Sequence, residues 1–271
     1  GQPLGASILG PVTNIQTFKR SVLKSFMDKH YHAGNMVIAV AGNVDVAAVL
    51  REFEAGVGHM KNKGRSTFVP ANFVGGNSHE TRPTQQLQLM AQFKAAAVND
   101  KDVWDTKMLG SVLAGGMSSR LFREIREKRG LVYGIGAGHT GYADTGTFSI
   151  YAGTGQKEAE ILMPVLCDEL NKIRTDGPTE QELKRVIASA KVSMARAAGS
   201  MDGRMRSIPS QYLTFGKVST TEERLAEIEK VTPESVKAAA NKVFGGTLNF
   251  ATVGPVSKIE SYDKIQARLK L

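Results

Sequence analysis

The chain has 271 residues, 41% of them hydrophobic, which suits one large domain or two modest ones with real cores. Its formal net charge is +9, but Lys and Arg are interleaved with Glu and aromatics are only 7%, so the pattern argues against a nucleic-acid binder. The longest apolar run, Met36–Ala41, has the length of a strand and not of a membrane span, and Gly1–Gly5 lacks the basic-then-apolar order of a signal peptide. One cysteine, Cys167, cannot form an internal disulfide and fits a reducing compartment.

Residues 1–14 read as irregular, with Gly and Pro repeated. Thr17 can cap a helix reaching His30, with Phe18, Val22, Phe26 and Met27 on one face. Asn35–Ala41 reads as a buried strand, Gly42–Asp45 as a turn, and Asp45 as the cap of a helix to Gly56. Lys61–Thr67 is polar and Pro70 follows, so residues 61–71 read as an interdomain linker. Thr84–Phe93 alternates, with Leu87, Leu89, Ala91 and Phe93 on one side and Gln86, Gln88 and Gln92 on the other, the signature of a half-buried strand. A helix over 100–113 leads into the most informative stretch.

That stretch is Ala114–Tyr133: a glycine break, a short basic helix, a glycine stop and a strand. Met117, Leu121 and Ile125 repeat at i, i+4 and i+8, giving an apolar face, while Arg120, Arg123, Arg126 and Arg129 repeat at i+3. Ser118 or Ser119 can cap the helix and Gly130 can end it. Arg126 and Tyr133 then flank one helix-to-strand corner, where a cation and a phenol can both donate to a peptide carbonyl or an oxyanion. Taken by themselves, the two also fit a surface arginine and a half-buried strand tyrosine.

Downstream, Tyr133–Gly141 and Gly146–Ala152 read as an antiparallel hairpin joined by Tyr142–Thr145. Glu158–Thr175 reads as a helix despite Pro164, and Thr179–Glu182 as a capping box for a helix to Ala198. Gly199–Ser210 reads as a break. Three helical stretches follow, Gln211–Phe215, Glu222–Lys230 and Pro233–Phe244, then a last strand at Leu248–Val253.

Tyr31–Val44 and Phe244–Val256 share one order of helix end, glycine, apolar strand, glycine and turn, about 214 residues apart, as two copies of one domain would. The second copy has a full domain before its strand. The first does not, which implies that about 140 residues of a first domain are missing.

The Ala114–Tyr133 segment resembles the glycine-rich segment in the second domain of the insulinase/pitrilysin zinc peptidases, closest to the mitochondrial-processing-peptidase branch. In that family an Arg and a Tyr seven residues apart reach the active site from the domain without zinc. The matching residues here are Arg126 and Tyr133. The run Gly1–Pro11 resembles the stretch after the zinc-binding helices. The resemblance implies an α+β fold, an antiparallel sheet covered by helices (an α/β roll), with one complete domain plus the end of a preceding homologous one. Residues 1–60 would be the end of the zinc-type domain, 61–71 a linker and 72–271 the second domain. It implies a half-clam that closes on an unfolded peptide substrate and pairs with a second subunit as a homodimer or heterodimer. It also implies zinc in the full-length protein and a home in the bacterial cytoplasm or mitochondrial matrix.

The zinc chemistry of that family needs H-x-x-E-H, which none of His30, His32, His59, His79 and His139 forms. No catalytic zinc, and no metal ligand, is therefore expected on this chain alone. Gly136–Gly141 fits G-x-G-x-x-G but lies between strand-like segments and opens no helix, so a dinucleotide cradle is disfavoured. No G-x-S-x-G elbow occurs. Two other readings stay open: a catalytically inactive partner or core-type subunit of the same family, and a basic binding module.

Overall fold

The computed structural model describes residues 2–64 and 67–270. Contacts divide the chain into two units, Gly1–Asn72 with Met194–Ser219, and Phe73–Ser193 with Thr220–Leu271.

In the first unit a 3₁₀ turn at Pro3–Gly5 is followed by α1 (Val12–Thr17) and α2 (Arg20–His30). The single helix expected over 17–30 is therefore two, because Phe18 and Lys19 are extended. Thr17 closes α1 instead of capping α2, its hydroxyl donating to the Thr13 carbonyl at 2.9 Å. The helix α3 (Val46–Val57) is capped as expected by Asp45, whose carboxylate accepts from the Ala47 and Ala48 N–H groups. The strand expected at Asn35–Ala41 is corrected: Ala33–Asn35 is a 3₁₀ turn and Met36–Ala41 joins no ladder, with Met36, Ile38 and Val40 exposed. The run has the apolar content of a strand, but no partner strand reaches it among the described residues. Arg65 and Ser66 of the expected linker lie outside the described residues; its other members form neither helix nor strand.

The second unit carries one sheet. Its strands are β1 (Gly76–Thr81), β2 (Gln86–Ala95), β3 (Val132–Gly141), β4 (Gly146–Gly155) and β5 (Leu248–Gly254), in the order β1-β5-β2-β4-β3. Three pairings are antiparallel, and β1 with β5 is parallel. That parallel edge strand was not legible, because Gly76–Thr81 is polar and mostly exposed and so shows no apolar alternation. The hairpin of β3 and β4 forms as expected, with the Tyr142 N–H bonded to the Thr145 carbonyl at 2.7 Å.

One face of the sheet is the core. Leu87, Leu89 and Phe93 on β2, Phe148 and Ile150 on β4 and Leu248 and Phe250 on β5 are buried there by the pleat of their strands. This face is covered by α4 (Val103–Ala114) and a later helix, against which α5 (Ala159–Asp176) packs. After α5 come α6 (Glu180–Gly199), α7 (Met201–Phe215), which belongs to the first unit, then α8 (Thr221–Glu229), α9 (Pro233–Phe244) and α10 (Tyr262–Leu269). Phe244 on α9 meets Phe93 and Phe148 edge-on at 5.2 and 5.4 Å between ring centres, the arrangement the ring quadrupoles favour. Cys167 on α5 is buried, and burial pushes its thiol up to about 12, so it is an unreactive packing group.

Side-chain caps mark the starts of four of these helices. Thr179 and Glu182 close a reciprocal box on α6, Thr220 and Glu223 one on α8, and Thr232 and Ser235 one on α9. The break expected over Gly199–Ser210 shrinks to Ser200, whose hydroxyl accepts from the Gly203 N–H and starts α7 at once. α7 continues through Pro209, so Gln211–Phe215 is its last turn and not a separate helix.

The C-terminal α10 also went unread in the sequence. Its Tyr262 hydroxyl accepts from the Gly76 N–H at 3.1 Å and donates to the Leu248 carbonyl at 2.7 Å, tying β1 to β5 at their start. Tyr262→Phe is expected to lower unfolding free energy by about 1–2 kcal/mol, read as a shift of the urea midpoint at unchanged slope. No helix among the described residues is long and apolar enough to cross a membrane.

Candidate functional site

Two glycines with positive φ bracket the candidate segment. Gly116 (φ +130°) follows the end of α4, and Gly130 (φ +61°) reverses the chain before β3; both conformations are costly for residues with a Cβ. Between them the helix that begins at Arg120 is wound as a π-helix over Phe122–Glu127, with the Lys128 N–H reaching back to the Arg123 carbonyl. Such wide turns insert one extra residue and recur at functional sites. The Ser119 hydroxyl donates backward to the Gly116 carbonyl at 2.6 Å, so it does not cap the helix as expected. Met117 is exposed and leaves the expected apolar face to Leu121 and Ile125, both fully buried.

The π turn also breaks the expected common face of the four arginines. Arg120 turns inward. Its guanidinium clamps the Glu182 carboxylate through two bonds of 2.8 Å and the Gly177 carbonyl through a third of 2.8 Å. Burial alone would raise the Glu182 pKa; the Arg120 and Thr179 hydrogen bonds and the Arg120 charge outweigh it and hold that carboxyl at about 2. Arg129 folds back on the Glu124 carbonyl and carboxylate, and Lys128 joins the same carboxylate. The Lys128 hydrogen bond, helped by the Arg129 hydrogen bond and both charges, holds Glu124 below the usual carboxylate range against the opposing effect of burial.

Arg126 differs from these. It is exposed, has no ion pair among the described residues, and lies over the Phe122 ring with 4.8 Å between its guanidinium carbon and the ring centre. Its carbonyl accepts from the Gly130 N–H, and the Ile125 carbonyl accepts from the Leu131 N–H, so the π-helix is tied into the turn. Tyr133 follows, 65% exposed, more open than a half-buried strand residue. It lies at a register shift: Val132 faces Thr154 and Gly134 faces Gly153, leaving Tyr133 without an opposite residue. A bulge of this kind re-aims its side chain. Arg126 and Tyr133 thus stand at the two ends of one turn, each on a local irregularity of the backbone.

The cleft behind the π-helix, about 410 Å³, is lined by Arg120, Arg123, Lys128 and Lys172 and by Glu124, Glu169, Asp176 and Glu182. Four cations face four carboxylates there, which gives no net field to select an ion. The G-x-G-x-x-G match lies inside β3 and opens no helix, so it has none of the geometry of a phosphate cradle.

His139, also on β3, is a packing residue. Its Nε2 lies 2.6 Å from the Ala96 carbonyl, an acceptor, so Nε2 carries the proton; Nδ1 is buried without a partner among the described residues. Burial, with the nearby Lys107 charge, lowers its pKa below 6.5 against opposing effects of the Ala96 carbonyl and Asp102. A depressed folded pKa gives stability that is complete above 6.5 and is lost as pH falls below it. Thermal unfolding of the wild type is therefore expected to drop more steeply between about pH 7 and 5 than that of His139→Gln, which keeps a donor but does not titrate.

Among the described residues no group of three His, Cys, Asp or Glu side chains could hold a metal ion. The described residues of this chain do not fit a zinc site.

The sequence profile of the peptidase M16 inactive domain matches residues 17–190. This chain belongs to that family. A Rickettsia felis protein described as an uncharacterized zinc protease is 34% identical over 255 residues, covering 94% of the M16 chain and 62% of the relative. The Bacillus subtilis zinc protease YmxG is 30% identical over 259 residues, covering 95% and 63%. The M16 chain thus spans somewhat under two thirds of these relatives. Among solved structures, a peptidase M16 inactive domain from Pseudomonas fluorescens is 27% identical with a TM-score of 0.80, covering 93% of the M16 chain and 61% of that one. A chain of the Inz-5-bound complex III2 from Candida albicans has a TM-score of 0.87 at 17% identity, covering 98% and 66%, a likeness of fold. The α+β architecture and the insulinase-type family read from Ala114–Tyr133 both stand.

Proposed function

We propose that this chain is the C-terminal, non-zinc portion of a zinc metalloendopeptidase that hydrolyses unstructured peptides or presequences in a closed chamber. The observation that carries the reading is the corner itself, an M16 segment that presents Arg126 on a π turn and Tyr133 on a strand bulge, both open to solvent. The Arg126 guanidinium and the Tyr133 hydroxyl are donors. Held at one corner, they bind the substrate's peptide carbonyl and stabilise the negative charge that its oxygen gains when the bond is attacked.

Zinc and the base that activates water belong, in this reading, to a part of the protein outside this chain. The first unit supports that view. Among its described residues no apolar side chain is buried, and Val22, Phe26, Ile38, Val40, Leu50 and Tyr212 are all exposed. An apolar surface of this extent is what a preceding homologous domain would cover. The working particle is a homodimer or heterodimer of such subunits. The bacterial relatives and the buried, unreactive Cys167 suit a reducing compartment, the bacterial cytoplasm or mitochondrial matrix.

The test is metal analysis of the complete gene product beside cleavage of an unstructured peptide. About one zinc per chain with chelator-sensitive cleavage is expected for a single open catalytic site. A zinc-free product without cleavage overturns the reading in favour of the inactive partner-type subunit. Salt-dependent retention on nucleic acid without either would favour the basic binding module.

A further inference from the structure

β4 places a run of side chains on the core face: Phe148, Ile150, Ala152 and Thr154, all essentially without solvent exposure. The last is polar. A hydroxyl in such a place is costly unless it is hydrogen-bonded, and a valine of the same shape would fill the space without that cost. The Thr154 hydroxyl donates to the Leu131 carbonyl at 2.5 Å, a group that lies in the turn and outside the ladder.

Leu131 is the splice between the two halves of the candidate site. Its N–H is held by the Ile125 carbonyl of the π-helix, and its carbonyl is held by Thr154. One residue later Val132 faces Thr154 in the ladder; then comes Tyr133, which faces nothing. The ladder does not set the direction of Tyr133, and no hydrogen bond holds its hydroxyl among the described residues. Its aim is inherited from the residues just before it.

We propose that Thr154 is a positioning residue, its buried hydroxyl pinning Leu131 and thereby fixing the bulge that aims Tyr133 at the substrate carbonyl. The inference rests on the reading of Tyr133 given above. Thr154 touches no substrate; it acts through Tyr133 alone.

The test is a double-mutant cycle on the complete gene product, with peptide cleavage measured well below the unfolding temperature. Thr154→Val is expected to lower kcat/KM about tenfold through kcat, the cost of a donor misplaced by a fraction of an ångström. In a Tyr133→Phe background the same change is expected to cost less than about twofold more, because the group it positions is already gone. Thr154→Ser keeps the hydroxyl and is expected within about threefold of wild type. Thr154→Ala carries the same cycle and removes the hydroxyl without Val's second methyl, so the comparison stands even where the valine variant does not fold.

Full activity in folded Thr154→Val or Thr154→Ala overturns the proposal. So does a tenfold loss that persists in the Tyr133→Phe background, which would mark Thr154 as a structural residue only. A Tyr133→Phe enzyme as active as wild type instead removes the role of Tyr133 itself, and that failure is read from the single variant.

Discussion

Tyr133→Phe and Arg126→Ala, made in the complete gene product, are each expected to lower kcat/KM for an unstructured peptide by about 10²-fold, the usual loss for one donor to a developing oxyanion. Neither change should alter thermal unfolding by more than about 0.5 kcal/mol, because both side chains are exposed and neither is hydrogen-bonded through its polar group among the described residues. That separation gives the prediction its force. A surface arginine and a strand tyrosine without function would leave both measurements unchanged. Arg126→Lys should recover only part of the loss, since it keeps the charge but loses the planar fork and the stacking on Phe122. Unchanged hydrolysis in both Tyr133→Phe and Arg126→Ala sinks the proposed role of the corner.

The parts of the fold that could be read from sequence are those whose signals are local. Leu87, Leu89, Ala91 and Phe93 alternate because one face of β2 is buried, and that period survives in the sequence. Thr179 with Glu182, and Thr232 with Pro233, announce helix starts because the caps are made by neighbours. What was missed is settled at a distance or against local preference. β1 pairs through its backbone with a strand over 170 residues away, and its side chains carry no apolar pattern. α7 forms through Gly203 and Pro209, inside the stretch Gly199–Ser210 that reads as a break. Met36–Ala41 reads as a strand because apolar content is visible, whereas the presence of a partner strand is not.

The candidate site shows the same division. Arg126 and Tyr133 are candidates because of the segment they lie in. Nothing in an i+3 repeat distinguishes Arg126 from Arg120, however; the distinction comes from the π turn and from Glu182, which is far along the chain. Thr154 left a faint local trace, a polar residue continuing the buried register of Phe148, Ile150 and Ala152. Its significance depends on the Leu131 carbonyl, which belongs to a turn the sequence could place but not orient.

Arg120→Ala is expected to destabilise the second unit by about 2–3 kcal/mol, at the lower edge of what breaking a buried ion pair costs. The clamp is largely but not wholly enclosed, with side-chain exposures of 15% for Arg120 and 18% for Glu182. Removing the guanidinium takes away both bonds to the carboxylate and the one to the Gly177 carbonyl, and it leaves Glu182 charged at the start of α6. The Thr179 N–H and hydroxyl remain bonded to that carboxylate, which keeps the loss below the full cost of an isolated buried charge. The pH dependence identifies the cause. Glu182 has its carboxyl at about 2 in the folded chain, against an ordinary value of 4.5. A depressed carboxyl stabilises fully above its unfolded value, and that contribution is lost as pH falls from about 4.5 towards 2. In Arg120→Ala the carboxyl should return towards the ordinary range, so the variant should already lack most of this contribution at neutral pH. The stability difference between wild type and variant, measured by urea unfolding, is then expected to narrow by about 1–2 kcal/mol between pH 6 and pH 3. A difference constant across that range would mean that Arg120 acts through packing and the Gly177 carbonyl, and not through the Glu182 charge.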